Sequence, residues 1–174
     1  MDNLLVALSL PFLLFVEEPV KGTRDIPRFQ QVSQSLYRGG LPKQAGFVFL
    51  KETGIKTVIN LMEENDEERV VRGLGMNYVH IPMRVTVGSR ISDENIIRFF
   101  EVVRDQNNFP VFVHCRRGAD RTGIMVGLYR IDADGWTGAK AYSEARKIGM
   151  RWWYRGLKKQ LNDWKPSLIA SRRP

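Results

Sequence analysis

The stretch HCRRGADRTG, at residues 114–123, contains the single cysteine of the chain, Cys115. Arg121 follows the cysteine by six positions, Gly118 lies between them, and an apolar run at 110–113 precedes them. A cysteine that only fills a core needs neither an arginine nor a glycine beside it, so this spacing indicates chemistry. The alternative interpretation is a structural loop around a buried, inert cysteine.

The pattern predicts an anion-binding loop between a strand and a helix. Backbone N–H groups that lead into a helix N-terminus, together with the positive end of the helix dipole, attract anions. Gly118 lets the backbone curl tightly, and Arg121 offers a planar fork to two oxygens of a phosphate. The same positive field favours the thiolate of Cys115, the nucleophilic form of cysteine. Thr122 can offer its hydroxyl to that thiolate, and His114 is expected to order the loop.

Strand-like and helix-like segments alternate along the chain beyond residue 30. The predicted strands are 35–38, 56–61, 77–83 and 111–114. The predicted helices are 43–53, 63–74, 93–105, 121–132, 138–148 and 151–164. This alternation predicts a single α/β domain with a central, mainly parallel twisted sheet of about four to five strands and helices on both faces. The phosphate loop would connect the central strand to a buried helix, where ligands of such sheets bind.

The composition limits the kinds of partner and metal site that the protein could have. The net charge of +8 favours anionic partners, and one cysteine excludes an intramolecular disulfide and a cysteine-rich zinc site. With two histidines in the chain, a histidine-rich metal site is not expected either. The run at 150–159 mixes aromatic and cationic residues, a mixture that also suits nucleic acid or an anionic membrane. The favoured interpretation is that it packs a terminal helix, and no nucleic-acid partner is expected.

The motif His114-Cys115-x5-Arg121-Thr122 resembles the signature of cysteine-dependent protein tyrosine phosphatases. Residues 36–40, 57–61, 121–123 and 129–130 extend the likeness to the small dual-specificity-like branch, over roughly residues 30–150 of the chain. That branch includes the tyrosine-phosphatase-like inositol polyphosphatases, also called cysteine phytases. A rhodanese-like sulfurtransferase fits less well, because its cysteine loop is shorter by one residue.

The resemblance implies a mechanism without metal or cofactor. Cys115 would form a phosphocysteine, and Arg121 would bind the phosphoryl oxygens in the ground and transition states. Hydrolysis of the phosphocysteine would then release phosphate. The loop residues that would bind the phosphate are Arg116, Arg117, Gly118, Ala119 and Thr122.

A general acid must give a proton to the leaving group. The usual aspartate of the family lies on the loop after the third predicted strand, but here residues 84–91 read RVTVGSRI and contain no carboxylate. Asp120, beside Arg121, is the preferred candidate. Asp93, Asp66 or no protein acid at all are the alternatives, and Asp93 also suits the first turn of a helix on dipole grounds.

The arginines in and near the loop indicate which kind of substrate the site would bind. Arg116 and Arg117 lie within the loop, while Arg84, Arg90 and Arg38 are candidates for the rim, Arg38 with an expected structural role. Several arginines around one site suit several phosphates, so the favoured substrate is an inositol polyphosphate, as for a phytase. The alternatives are a protein tyrosine or dual-specificity phosphatase acting on a phosphoprotein, and a catalytically weak phosphate-binding module. A solvated basic face is the plainer interpretation, and the acidic run at 63–68 would place carboxylates near the rim.

Three segments are predicted: an N-terminal apolar segment and linker at 1–29, a catalytic domain at 30–165, and a basic tail at 166–174. Residues 4–16 have the length of a signal-peptide core but lack a positively charged start, and Pro11 interrupts them. Two locations are expected: export or membrane contact through this segment, or the cytoplasm with the segment packed as an arm. The sequence leaves the oligomeric state open.

Overall fold

A computed structural model describes residues 23–166. Its centre is a five-stranded sheet in the order β1-β2-β5-β3-β4. The strands are β1 Gln30–Gln31, β2 Leu36–Gly40, β3 Thr57–Asn60, β4 Asn77–His80 and β5 Val111–Cys115. The edge strand β1 runs antiparallel to β2, and the other neighbours are parallel. The predicted α/β class and the mainly parallel sheet are therefore confirmed.

Within residues 23–166, six helices connect and cover the strands. They are α1 Gln44–Glu52, α2 Glu68–Gly73, α3 Asp93–Arg104, α4 Asp120–Ala133, α5 Gly138–Ile148 and α6 Arg155–Asp163. Single turns of 3-10 helix add Thr23–Asp25 and Gln106–Asn108. Each predicted helix is present, although two of them begin later than the sequence pattern indicates.

Both late starts have a local cause. The helix predicted at 63–74 begins at residue 68, because Asn60 holds the preceding turn: its Nδ2 donates to the Glu64 carbonyl at 2.7 Å and its Oδ1 accepts from the Met62 N–H at 2.7 Å. The helix predicted at 151–164 begins at residue 155, since the Arg151 N–H donates to Oδ1 of Asp120 at 2.8 Å. The two turns that result both lie beside the phosphate loop.

The sheet separates two apolar clusters, so the predicted helices on both faces are also confirmed. Every residue of β5 is buried, as expected for a central parallel strand. Val113 and Cys115 belong to the cluster under α3 to α6, while Phe112 belongs to the cluster with α1 and α2. The larger cluster includes Phe99, Phe100, Met125, Leu157 and Leu161. Cys115 thus stands at the carboxyl end of a fully buried central strand, where its backbone cannot shift without disturbing both clusters.

The division into segments 1–29, 30–165 and 166–174 stays a prediction. Ile26, which falls in the predicted linker, is 1% exposed and packs in the cluster with Phe47 and Leu50. The part of the linker from residue 23 onward therefore contributes to the core of the domain.

The expectation of export or membrane association needs correction. None of the helices within residues 23–166 is long and apolar enough to cross a membrane. The longest, α4, has 14 residues and carries charged side chains at both ends. The apolar run at 4–16, on which the expectation depended, lies outside the described residues.

Candidate active site

The loop between β5 and α4 is tied down through its carbonyl oxygens. The Leu41 N–H donates to the Arg116 carbonyl at 3.3 Å. Nη1 of Arg28 donates to the Arg117 carbonyl at 3.0 Å, and Nη2 of Arg38 donates to the Gly118 carbonyl at 2.9 Å. In a trans peptide the N–H points opposite to the C=O. Holding these three carbonyls from the protein side therefore turns the N–H groups of residues 117–119 towards the pocket.

Gly118 permits the close approach of this loop to β2. Its φ is +68°, and a Cβ added there would lie 2.4 Å from the Gly39 carbonyl carbon and 2.4 Å from the Gly40 nitrogen. Glycine is thus needed both for the left-handed backbone and for the space. Thr122 is buried and its Oγ1 lies 3.5 Å from the Gly39 carbonyl oxygen, so its hydroxyl contacts β2.

Arg38 lies behind the loop and not on the rim, which corrects its place among the rim candidates. Its side chain is 1% exposed. Burial lowers the pKa of Arg38 to about 10, against the opposing effects of Glu144 and Cys115. At neutral pH the guanidinium keeps its charge, so the loop has a buried cation on its protein side. This agrees with the structural role expected from the sequence.

A pocket of about 290 Å³ lies on the other side of the loop. It is lined by Val85, Cys115, Arg116, Arg117, Asp120, Arg121, Arg151 and Tyr154. The structure thus brings together the predicted nucleophile, the predicted phosphate arginine and the preferred acid. Ala119 and Thr122 are buried beneath the loop, where they can contribute backbone groups.

The other rim candidates lie elsewhere. Arg90 pairs with Asp163 at 2.6 Å and lines a second groove beside Trp164, so its assignment to the rim is corrected. The cause is Gln160, whose side-chain amide brackets the backbone of Ile91 with two hydrogen bonds and draws this end of the 84–91 loop to α6. Arg84 is exposed and does not line the pocket.

The candidate acids are also separated by the fold. Of the three carboxylates considered, Asp120 lines the pocket, Asp93 lines the second groove, and Asp66 is exposed. Asp120 is 6% exposed. It lies beside the cysteine loop, at the first residue of α4, and is the one of these three that lines the pocket with Cys115.

Arg151 and Tyr154 were not predicted. Nε and Nη2 of Arg151 lie 3.0 and 2.9 Å from Oδ2 of Asp120, and Nη2 also donates to the Tyr154 hydroxyl at 2.8 Å. Burial works against the charged guanidinium, but the hydrogen bond and charge of Asp120 outweigh it and raise the pKa of Arg151. The mixture of cationic and aromatic residues at 150–159 indicated a segment that could bind an anion. Nothing in the sequence of this segment indicated that it lies beside Cys115.

The prediction that this aromatic run packs a terminal helix is only partly right. Leu157 and Leu161 of α6 are buried, but Trp152 and Trp153 are 59% and 38% exposed. The apolar face of α6 therefore holds the helix in place, while the residues just before it face the pocket or the solvent.

Carboxylates of the 62–67 turn face the loop arginines. Oε1 of Glu64 lies 3.0 Å from Nη2 of Arg116, and Oε2 of Glu63 lies 3.9 Å from Nη2 of Arg121. A hydrogen bond from its own backbone, and then Arg116, lower the pKa of Glu64. The acidic run therefore lies at the rim, as the sequence indicated.

A buried polar network anchors that turn beneath the loop. Oε1 of Glu67 lies 3.3 Å from Nε2 of His114 and accepts from the Tyr78 hydroxyl at 3.4 Å. Nδ2 of Asn60 donates in turn to the Tyr78 oxygen at 2.9 Å. Burial opposes the charge of Glu67, but its contacts with His114 and Tyr78 hold the pKa of this carboxyl below its usual range. His114 thus links the strand end before Cys115 to the acidic turn.

Known proteins match the part of the chain that contains this site. Residues 25–149 match a model described as the tyrosine phosphatase family. An inositol diphosphatase of Arabidopsis thaliana, DSP5, is 28% identical over 138 residues, covering 76% of this chain and 67% of that protein. The dual specificity protein phosphatase TpbA of Pseudomonas aeruginosa is 28% identical over 120 residues, covering 68% of this chain and 53% of that protein. The chain therefore spans between about half and two thirds of these relatives.

Two solved structures share the fold. The core catalytic domain of the PP-IP phosphatase SIW14 from S. cerevisiae superimposes with a TM-score of 0.71 at 21% identity, over 83% of this chain and 92% of that one. TpbA in complex with pTyr superimposes with a TM-score of 0.71 at 20% identity, over 88% of this chain and 94% of that one. The α/β arrangement around the loop is therefore that of tyrosine-phosphatase-like enzymes.

We predict that Gly118→Ala abolishes the phosphate-binding geometry. The added Cβ would meet the backbone of β2, so the loop must shift and phosphate turnover should fall at least about a hundredfold. The matched control is Gly135→Ala, which has a similar φ of +66° but no atom within 4 Å of the added Cβ. The control should cost about 1 kcal/mol of stability and leave turnover intact. Equal turnover by the two variants, measured with a chromogenic phosphate ester, would contradict this account of Gly118.

We predict that Glu67 makes the protein sensitive to acid. Its pKa is lower in the folded state than the ordinary 4.5, so its stabilisation is present above that value and is lost as the pH falls through the folded-state pKa. Glu67→Gln should be less stable than wild type at pH 7, by about 1–3 kcal/mol for a buried hydrogen-bonded group. Its free energy of unfolding should then fall less than that of wild type on acidification. Urea titrations at several pH values measure the free energy of unfolding, with the exposed Glu52→Gln as control. If this free energy falls equally with pH for wild type and Glu67→Gln, the prediction is wrong.

Proposed function

Because the chain belongs to the tyrosine phosphatase family, we propose that it is a metal-independent phosphomonoester hydrolase that forms a phosphocysteine on Cys115. One observation carries the proposal: Cys115 and Arg121 line the same pocket, at the carboxyl end of the central strand and the N-terminus of a buried helix. The positive charge that a metal would otherwise supply comes from arginines and from the backbone N–H groups of the loop.

The reaction balances with these groups. The thiolate of Cys115 attacks phosphorus, the bond from phosphorus to the ester oxygen breaks, and that oxygen leaves with the electron pair and takes a proton from Asp120. Water then attacks phosphorus, its proton returns to Asp120, and the phosphorus–sulfur bond breaks to release phosphate and the thiolate. Arg121 and the loop N–H groups bind the oxygens on which charge is spread in both transition states.

For the substrate we favour an inositol polyphosphate. Four arginines line the pocket, at 116, 117, 121 and 151, which is more positive charge than one phosphate requires. Relatives of the chain are named inositol diphosphatases, and a protein with the same fold is named a PP-IP phosphatase. A substrate with several phosphates would use the arginines that a single phosphate leaves unoccupied.

A phosphotyrosine substrate is the second candidate. Val85 and Tyr154 also line the pocket and supply apolar surface for an aromatic ring. The relative TpbA is named a dual specificity phosphatase and has been solved with pTyr. The two candidates differ in whether the surplus arginines or the apolar wall contributes more binding energy.

We predict that Cys115→Ser folds normally and releases no phosphate, because serine at this position is a far weaker nucleophile. The measurement compares wild type and Cys115→Ser on inositol hexakisphosphate and on a phosphotyrosine peptide, each with and without chelator. Wild type should act with a kcat/KM at least about tenfold higher on the inositol phosphate, the factor expected from about 1.4 kcal/mol of additional binding energy. Turnover by Cys115→Ser would disprove the phosphocysteine, loss of wild-type activity in chelator would disprove the metal-free mechanism, and preference for the peptide would favour the second candidate.

We predict that Asp120→Asn slows esters with poor leaving groups by about 10²–10⁴-fold, the usual contribution of a general acid. Aryl phosphates, whose leaving group needs little protonation, should be affected much less. Asp66→Asn and Asp93→Asn serve as controls, since neither residue lines the pocket, and both should keep the wild-type dependence on leaving group. An unchanged dependence in Asp120→Asn would assign the acid to another residue.

A further inference from the structure

Arg151 occupies an unusual position for a residue outside the phosphate loop. It lies on the turn between α5 and α6, yet it lines the pocket together with Cys115. Its side chain is 35% exposed, so a ligand can reach it, while the Asp120 side chain that it contacts is 8% exposed. Arg151, which a ligand can reach from the pocket, therefore binds the nearly buried carboxylate of Asp120.

The two oxygens of Asp120 have different partners. Oδ1 accepts from the backbone N–H of Arg151, whereas Oδ2 accepts from the side-chain nitrogens Nε and Nη2. If the Arg151 side chain turns away, the backbone bond to Oδ1 still holds the carboxyl group in place. Oδ2 is then the oxygen that becomes available to carry and donate a proton.

The pairing conflicts with the acid role proposed for Asp120. Oδ2 accepts from two side-chain nitrogens of Arg151, so it cannot at the same time carry the proton that a general acid must donate to the leaving group. A phosphate group carries more charge than a carboxylate and accepts the planar fork of arginine equally well. A second phosphate of the substrate can therefore compete with Asp120 for the Arg151 guanidinium.

We propose that Arg151 forms a subsite for a second, non-reacting phosphate, and that occupation of this subsite releases Asp120 to act as the general acid. This inference rests on the proposed function, and it adds the reason why a polyphosphate would be hydrolysed in preference to a monophosphate. Once Arg151 has moved to the second phosphate, which balances its charge, Oδ2 takes up a proton from solvent. That proton then passes to the leaving oxygen as the phosphorus–oxygen bond breaks.

Neighbouring groups fit this subsite. Nη1 of Arg117 lies 4.0 Å from Oδ2 of Asp120 and supplies a second cation on the same carboxylate. The Tyr154 hydroxyl accepts from Nη2 of Arg151, and the Tyr154 ring centroid lies 4.8 Å from its Cζ. Contact of a guanidinium with an aromatic ring restrains it without using its N–H groups. Tyr154 therefore keeps Arg151 at the pocket while leaving donors for an anion.

The test compares Arg151→Gln with wild type on two esters that both have poor leaving groups: inositol hexakisphosphate and glycerol 2-phosphate, which has one phosphate. For the polyphosphate, KM should rise at least about tenfold because a charge-assisted contact is lost. For glycerol 2-phosphate, kcat should rise severalfold, because Oδ2 of Asp120 loses its two closest N–H donors, Nε and Nη2 of Arg151. A residue that only supports the fold would lower activity on both substrates.

Two further variants complete the design. Arg155→Gln is the matched control, since Arg155 is exposed, lies four residues further on and does not line the pocket; it should behave as wild type on both esters. Arg151→Lys keeps a cation and should restore KM for the polyphosphate to within a few-fold of wild type. Circular dichroism and thermal melts identify any variant that fails to fold. If Arg151→Gln does not fold, the KM and kcat values of Arg151→Lys on the same two esters test the proposal.

The double variant Asp120→Asn with Arg151→Gln separates this inference from the proposed function. The gain on glycerol 2-phosphate should disappear in the double variant if it arises from Asp120. An equal loss of kcat on both esters in folded Arg151→Gln overturns the coupling, while the Cys115→Ser result still supports the phosphatase mechanism. If Asp120→Asn alone leaves both esters unaffected, the acid assignment fails and the coupling fails with it.

Discussion

The chemistry of the pocket depends on how the loop of residues 116–119 is held against β2. Three of its carbonyls accept hydrogen bonds from the protein side, from Leu41, Arg28 and Arg38. Gly118 brings the loop so close to Gly39 and Gly40 that no side chain fits between them. Because peptide units are rigid and planar, fixing the carbonyls also fixes the opposite N–H groups. The anion site is therefore a consequence of packing against a strand, in addition to the dipole of α4.

Three of the four arginines that line the pocket each have a carboxylate partner of their own, and Arg117 shares Asp120 with Arg151. Glu64 contacts Arg116, Glu63 contacts Arg121 and Asp120 contacts Arg151. An anionic substrate must replace these carboxylates, so part of its binding energy is offset by the contacts that it breaks. A substrate with one phosphate replaces few of them, whereas a polyphosphate gains several charge-assisted contacts at once. The same balance explains how a chain with a net charge of +8 concentrates cations in one place without strong repulsion between them.

The balancing acids are themselves positioned from within the core. Glu63 and Glu64 lie on a turn whose backbone is held by hydrogen bonds with the side-chain amide of Asn60. Glu67, at the end of this turn, reaches His114 beneath the loop. The buried network thus couples the position of the rim carboxylates to the strand end that carries Cys115. On the opposite side, the buried leucines of α6 hold the turn that carries Arg151.

The ten residues 114–123 by themselves determined the type of site, because the nucleophile, the glycine and the arginine are local in the chain. The alternation of strands and helices likewise predicted the sheet, since hydrophobic periodicity reports which face of each element is buried. Three contacts were decided only by the tertiary structure. Arg151 binds Asp120, 31 residues away in the sequence, and Arg38 lies behind Gly118, 80 residues away. Arg90 binds Asp163, 73 residues away. A side chain that is long, charged and distant in sequence has no local pattern that names its partner. Its contacts follow from how helices and loops dock on the sheet, and this docking depends on the packing of the whole core.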